Sequence, residues 1–345
     1  MTKKARLRDL FGNAKSCFRA LIFRGIFMKF EMFSHPKDRM AIIPSDDVLL
    51  MLPDVFGVFD GATDPRGGNG TTGKSSGLFA AEIAARYCGR TFSDLDRFSM
   101  TTQDLMLALT AELAIASSGE RYQSRPTTTM AIALIGPGTV RIIVSGDSGV
   151  RVNGATIYRH EKCIDDVSAA ARIAVFNLLL DKGGNPDGIE ISARRAIFQG
   201  LDTCVNDGVL NQAETDELIA SVAKSLSEIA NAEIIESFLR NGIKSQSEFG
   251  NDDDHPLGFS VLNGSSPSMK DVIDVSLDIK NVKSIELFSD GYFAVPTNVT
   301  IEAWEQMFAE IEKIDPHKLH KYPNVKGSTT TDFSDDRSVI ILTNI

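Results

Sequence analysis

Short apolar runs bounded by turn residues dominate the first half of the chain. Residues 29–34 and 40–52 read as strands separated by His35-Pro36-Lys37-Asp38. Asp54–Phe59 follows as a third, because its aromatic and β-branched side chains suit a pleated, packed surface. That run stops at Asp60-Gly61 and enters a glycine-rich loop over 61–77, after which 80–87 and 102–117 carry helical patterns. The runs 127–134 and 139–144 flank Gly136-Pro137-Gly138, a hairpin signal, and 150–158 continues as strand, turned at Asn153-Gly154.

From 164 to 241 the period changes. Apolar residues fall at helical spacing in 166–181, 190–205 and 213–239, with Asn206-Asp207-Gly208 breaking the second run from the third. Strand patterns return at 258–262, 272–277, 284–288 and 338–343, with a helical stretch at 300–314. Strands without regular βαβ alternation predict an α+β layered domain, with the helical block 164–241 covering one sheet. Ahead of this body, Leu7, Leu10, Phe11, Ala14, Phe18, Leu21 and Ile22 recur at three- and four-residue steps, the spacing of an amphipathic helix. The organisation is therefore an extension over 1–28 and one domain over 29–345.

Charge sharpens that division. The 345-residue chain has a formal net charge of −10. Residues 1–27 hold seven basic residues against Asp9 alone, a net +6, and the remainder holds 29 basic and 45 acidic residues, a net −16. So acidic a body does not bind nucleic acid, where neutralising phosphate supplies the affinity; it suits cations. The basic extension admits an anionic membrane surface, an organelle-targeting peptide, a helix docked on its own domain, or a translation start at Met28. Cys17, Cys88, Cys163 and Cys204 form no C-x-x-C or Cys/His pair, which predicts reduced thiols and a cytoplasmic setting. No apolar run reaches the roughly 18–20 residues of a membrane span.

The chemistry is carried by isolated acids at strand mouths. Asp60 follows Val-Phe-Gly-Val-Phe, Asp147 follows Ile-Ile-Val-Ser-Gly, Asp290 follows Ile-Glu-Leu-Phe-Ser, and Asp335-Asp336 precede an apolar run beginning at Ser338. Converging carboxylates repel one another and rise in pKa unless cations neutralise them. Carboxylate and backbone-carbonyl oxygens suit hard ions such as Mg²⁺ or Mn²⁺. Taken singly, Asp-Gly and Gly-Asp are turn dipeptides; four such sites in order are not explained by turns.

Phe56-Gly-Val-Phe-Asp60-Gly61, Ile143-Val-Ser-Gly-Asp147-Ser148, Leu287-Phe-Ser-Asp290-Gly291 and Asp335-Asp336-Arg-Ser-Val-Ile-Ile resemble the ordered motifs of the metal-dependent PP2C-type (PPM) Ser/Thr protein phosphatases. The resemblance spans about 56–342 and implies a four-layer α-β-β-α sandwich of two antiparallel sheets flanked by helices. It also implies hydrolysis of phosphoprotein monoesters by a hydroxide bridging two Mn²⁺ or Mg²⁺ ions, in a monomer. Asp60 would bridge the ions, the Gly61 carbonyl would ligate one, Asp290 and Asp335 would complete the sites, and Asp147 would help hold a weaker third ion. Asp38, in Pro-Lys-Asp-Arg-Met, falls near the family's first acidic motif and is placed with Asp60 as catalytic; Lys37 and Phe33 depart from that motif. Arg66 and Lys74 stand in for the missing phosphate-binding arginine.

Two other readings compete. One is the same fold with a degenerate site, used as a binding module. The other is nucleotide binding, because Gly68-Asn-Gly-Thr-Thr-Gly-Lys74-Ser75 matches G-x-x-x-x-G-K-[ST]. Eight residues separate it from the strand ending at Phe59, and the βα alternation of a doubly wound NTPase is missing.

Overall fold

The computed structural model describes residues 19–23, 26–94 and 99–345. Two antiparallel sheets form its centre. One has six strands in the order β1 (Arg19–Phe23), β2 (Ile26–His35), β11 (Arg337–Thr343), β10 (Ser284–Phe288), β7 (Gly149–Val152) and β8 (Thr156–Tyr158). The other has five in the order β3 (Val48–Met51), β4 (Val55–Phe59), β5 (Met130–Gly136), β6 (Thr139–Ser145) and β9 (Ile273–Asp278).

Alternation along the strands explains the stacking. Phe56, Val58, Ala131, Ala133, Ile142 and Val144 face inward from the five-stranded sheet, against Val150, Ile285, Leu287, Ile340 and Leu342 of the other. The neighbouring residues Val55, Phe59, Ile132 and Ile143 point the opposite way, onto α1 (Ser76–Asp94) and α2 (Thr102–Ser117). On the outer face of the six-stranded sheet, Phe288, Val339 and Ile341 are covered by Trp304 and Phe308 of α8 (Ile301–Ile314). The fold is thus the expected α+β sandwich, helices outside and two antiparallel sheets within.

The helical block differs from expectation. Helices α3 (Cys163–Asp181), α4 (Pro186–Gln199), α5 (Leu201–Asn206), α6 (Gln212–Ser225) and α7 (Ala232–Asn241) enclose a hydrophobic core of their own, closed by Leu257, Phe259 and Val261. Among the described residues, no strand of either sheet contributes to that core. The block was expected to cover one sheet, but the outer faces are covered by α1 and α2 on the five-stranded sheet and by α8 on the six-stranded one. The runs read as single helices at 190–205 and 213–239 are each two, broken at Gly200 (φ +90°) and over 226–231.

Three strand readings also change. Residues 40–47 are irregular, with strand confined to 48–51, and 258–262 makes only isolated bridges. Arg19–Phe23 pairs antiparallel with Ile26–Phe30, so the tail of the stretch read as helical is strand. Pairing with a neighbour outweighs a local 3.6-residue period there; the rest of that helix lies outside the described residues, as does Cys17. Cys88, Cys163 and Cys204 are free thiols. Among the described residues no helix is long and apolar enough to cross a membrane.

Candidate metal centre

The strand ends of the two sheets converge on a cleft of about 160 Å³ lined by Asp60, Gly61, Asp147, Asp290 and Asp335, among others. Asp60 leaves β4 and Asp147 leaves β6, both in the five-stranded sheet; Asp290 leaves β10 and Asp335 enters β11, both in the six-stranded one. Carboxylate oxygens of Asp60, Asp147 and Asp290 lie within 4.8 Å of one another. Gly61 holds the neck of this arrangement, for a Cβ there would stand 2.4 Å from the backbone of Gly77. A side chain would push the start of α1 away from Asp60.

The electrostatics divide the acids into two kinds. Burial, then Asp290, Asp47, Asp335 and Asp147, raises the Asp60 carboxyl well above its ordinary range. Burial and the neighbouring Asp335 and Asp147 push Asp290 up to about 7. Asp335 and Asp147 behave oppositely. Burial alone would raise them, but Lys326 and Lys37 outweigh it at Asp335, and Lys162 and Arg159 outweigh it at Asp147, so both are lowered. The contacts are direct: Lys326 Nζ stands 2.6 Å from Asp335 Oδ2, and Lys162 Nζ 2.7 Å from Asp147 Oδ2.

A pair of acids that the sequence reading passed over belongs to the same cluster. Asp47 is buried, accepts a 2.8 Å hydrogen bond from Ser289 Oγ, and is pushed up to about 8 by burial and by Asp336. Asp46 accepts from Ser75 Oγ at 2.5 Å and from Lys37 Nζ at 3.2 Å. Lys37 Nζ also reaches Asp336 Oδ2 at 3.0 Å. Ser45-Asp46-Asp47 directly before Val48-Leu-Leu-Met was the available signal. Reading strand from residue 40 put the pair mid-strand instead of at a mouth.

Two buried oxygens in this cluster, Asp47 Oδ1 and Asp147 Oδ1, have no hydrogen-bond partner. An unpartnered carboxylate oxygen in a buried, like-charged cluster is costly unless a cation completes it. The donors are all oxygen, which fits Mg²⁺ or Mn²⁺.

Three expected site residues lie elsewhere. Asp38 caps an exposed turn, accepting from the backbone N–H groups of Met40, Ile42 and Ile43 at 2.8–2.9 Å, and those hydrogen bonds, Ile43 first, lower its pKa. Arg66 is exposed and donates to the carbonyls of Gln123 and Lys244, both at 3.2 Å. Lys74 is held 2.6 Å from both oxygens of Glu82. The loop around it is not a phosphate cradle, because Glu120 already occupies the Thr71 N–H and hydroxyl. Ser75 is turned onto Asp46.

No family model and no curated protein sequence matches the chain. Comparison with solved structures finds bacterial Ser/Thr phosphatases of the PPM/PP2C type across most of its length. Stp1 from Staphylococcus aureus is 11% identical, with 96% of this chain and 99% of that one covered and a TM-score of 0.42. PstP/Ppp from Mycobacterium tuberculosis is 13% identical, covering 92% and 98%, with a TM-score of 0.38. A PstP catalytic domain solved with two manganese ions is 12% identical, covering 92% and 97%, with a TM-score of 0.40.

Proposed function

We propose that the chain is a divalent-metal-dependent phosphatase acting on phosphorylated Ser/Thr side chains of proteins. The observation that carries this reading is the convergence of Asp60, Asp147 and Asp290 within 4.8 Å, in a cleft where Asp147 Oδ1 is unpartnered. Asp60, Asp290, Asp335 and the Gly61 carbonyl, with Asp47 beside them, would hold two Mn²⁺ or Mg²⁺ ions. Bound there, the ions supply positive charge for the phosphoryl oxygens and an acidified water.

The chain's own residues do the rest. Ser289 donates to Asp47 and leaves its second oxygen facing the cluster. The Asp60 carbonyl accepts from Thr129 N–H at 2.9 Å and Thr128 Oγ1 at 2.8 Å, which fixes the direction in which that side chain leaves β4. Lys37 ties Asp46 to Asp336 across the entrance to β11.

A second reading is favoured by one observation: Lys37, Lys162 and Lys326 already neutralise carboxylates of the rim. On that reading the same fold binds a partner without catalysis. Wild type and Asp290→Asn, assayed on a phosphoserine peptide with Mn²⁺ or Mg²⁺ and titrated with Mn²⁺ by calorimetry, separate the two. The phosphatase reading expects metal-dependent turnover that Asp290→Asn abolishes. Absent turnover with weak or no Mn²⁺ binding in the wild type leaves the binding module.

A further inference from the structure

The residues first expected to grip phosphate, Arg66 and Lys74, are committed elsewhere, and the cleft contains a better-placed cation. Lys326 lines the cleft with Asp60, Asp290 and Asp335 and is only 8% exposed. Its ammonium donates to Asp335 Oδ2 at 2.6 Å and to Thr63 Oγ1 at 3.3 Å. An ammonium has three N–H donors, so one remains for a third acceptor. Lys37 differs, with Asp46, Asp336 and Thr63 taking all three of its donors. Lys162, also on the cleft wall, is engaged on three sides, by Asp147 at 2.7 Å, Asp165 at 3.5 Å and the Phe259 ring, whose centroid is 5.6 Å from Nζ.

The position of Lys326 is built rather than incidental. The next residue, Gly327, is gripped on both backbone groups by α4: its N–H donates to Glu190 Oε1 at 2.7 Å, and its carbonyl accepts from Arg194 Nη2 at 2.8 Å. A Cβ on Gly327 would meet His317 O at 2.6 Å and Glu190 Oε2 at 2.7 Å. Arg172 of α3 is fully buried, pairs with Glu190, and donates to the carbonyls of Asn324, His317 and Lys318 at 2.7–2.8 Å. The separate helical block therefore seizes the 317–327 loop and presents Lys326 to the cleft.

We propose that Lys326 is the cation that binds the phosphoryl group of the substrate, and that α3 and α4 serve the site by positioning it. The proposal rests on the phosphatase reading for its substrate, but its geometry is independent of turnover. A divalent ion held by Asp335 would offset the attraction between that carboxylate and the ammonium, which would leave the Lys326 donors for an incoming anion such as a phosphoryl group.

The test uses the full chain loaded with Mn²⁺ and inorganic phosphate as the probe, with both Mn²⁺ and phosphate binding read by calorimetry. Lys326→Met is expected to weaken phosphate binding about tenfold or more, the range for a charge-assisted hydrogen bond, with Mn²⁺ binding unchanged or tighter. Lys326→Arg should recover part of the loss. Arg194→Gln, on a partly exposed side chain, should move phosphate affinity the same way by less, raising KM more than it lowers kcat. Unchanged phosphate affinity in Lys326→Met together with tighter Mn²⁺ binding would make Lys326 a counter-ion of Asp335 and overturn the proposal. So would a wild type that binds Mn²⁺ but no phosphate. A wild type that binds both, loses phosphate on Lys326→Met and yet hydrolyses no phosphoester upholds the role of Lys326 while the phosphatase reading falls.

Discussion

Glu286 on β10 and Asp290 just beyond its end are both buried carboxylates, and they face opposite electrostatic surroundings. Glu286 is fully buried on the α8 side, where Arg151 and the Trp304 indole N–H, at 2.8 Å, satisfy it. Nearby, Glu305 accepts from Arg337 Nε at 2.9 Å and Nη2 at 2.8 Å, and from the Tyr292 hydroxyl at 2.7 Å. Asp290 has the carboxylates of Asp335, Asp147 and Asp60 for neighbours, and Lys326 offsets them only in part, so it is still pushed up to about 7. A region whose charges cancel internally is complete as folded. A region whose charges repel would be stabilised by a bound cation. On the proposed reading, the difference separates buried acids that hold the sandwich together from buried acids that hold metal.

The comparison breaks most visibly at its balanced end. Arg151→Met strands Glu286 in an apolar layer and should cost about 3–5 kcal/mol, read as a loss of denaturant midpoint, with Mn²⁺ neither causing nor rescuing it. Added Mn²⁺ should do the reverse for the wild type. At a concentration about 100 times its dissociation constant it should stabilise by about 2.7 kcal/mol, seen as a rise in Tm that chelator abolishes. Asp60→Asn sharpens the contrast, because the neutral amide relieves repulsion. The metal-free variant should melt at or slightly above the metal-free wild type, while the Mn²⁺-dependent rise in Tm and all phosphatase activity disappear. A lower metal-free Tm would mean that Asp60 belongs with the balanced acids.

Smaller effects probe the border between the two regions. Lys162→Met frees Asp147 Oδ2 and should tighten Mn²⁺ binding or add a further ion to the calorimetric stoichiometry. The smallest change is expected from Asp38→Ala: a slight loss of thermal stability from the uncapped turn, with metal binding and activity as in the wild type.

Legibility followed the range of the interactions. Asp60, Asp147 and Asp290 could be singled out because each ends an apolar run, a signal written within a few residues. The sandwich itself was legible from the short apolar runs, bounded by turn residues, that became β4, β5, β6, β10 and β11. Asp46 and Asp47 were not, because Met40, Ile42 and Ile43, all exposed, imitate the start of a strand. The lysines were beyond local reading. Lys37 meets Asp336 across 299 positions and Lys326 meets Thr63 across 263, and no periodicity records such a partnership. Lys74 failed for the converse reason: its partner, Glu82, stands eight residues on, in the second turn of the neighbouring helix, and takes the charge that the motif had suggested was free.

The carboxylates come in equal shares from the two sheets, Asp60 and Asp147 from one, Asp290 and Asp335 from the other. Cations seated among them would therefore act as a removable cross-link between layers whose interior contact is apolar and whose ends are joined by the Ser289–Asp47 and Asp46–Lys37–Asp336 hydrogen bonds. Strand ends of both sheets should then lose hydrogen-exchange freedom together on Mn²⁺ addition, and regain it together with chelator. The ions would thus set how far the sandwich can open as well as what it can hydrolyse.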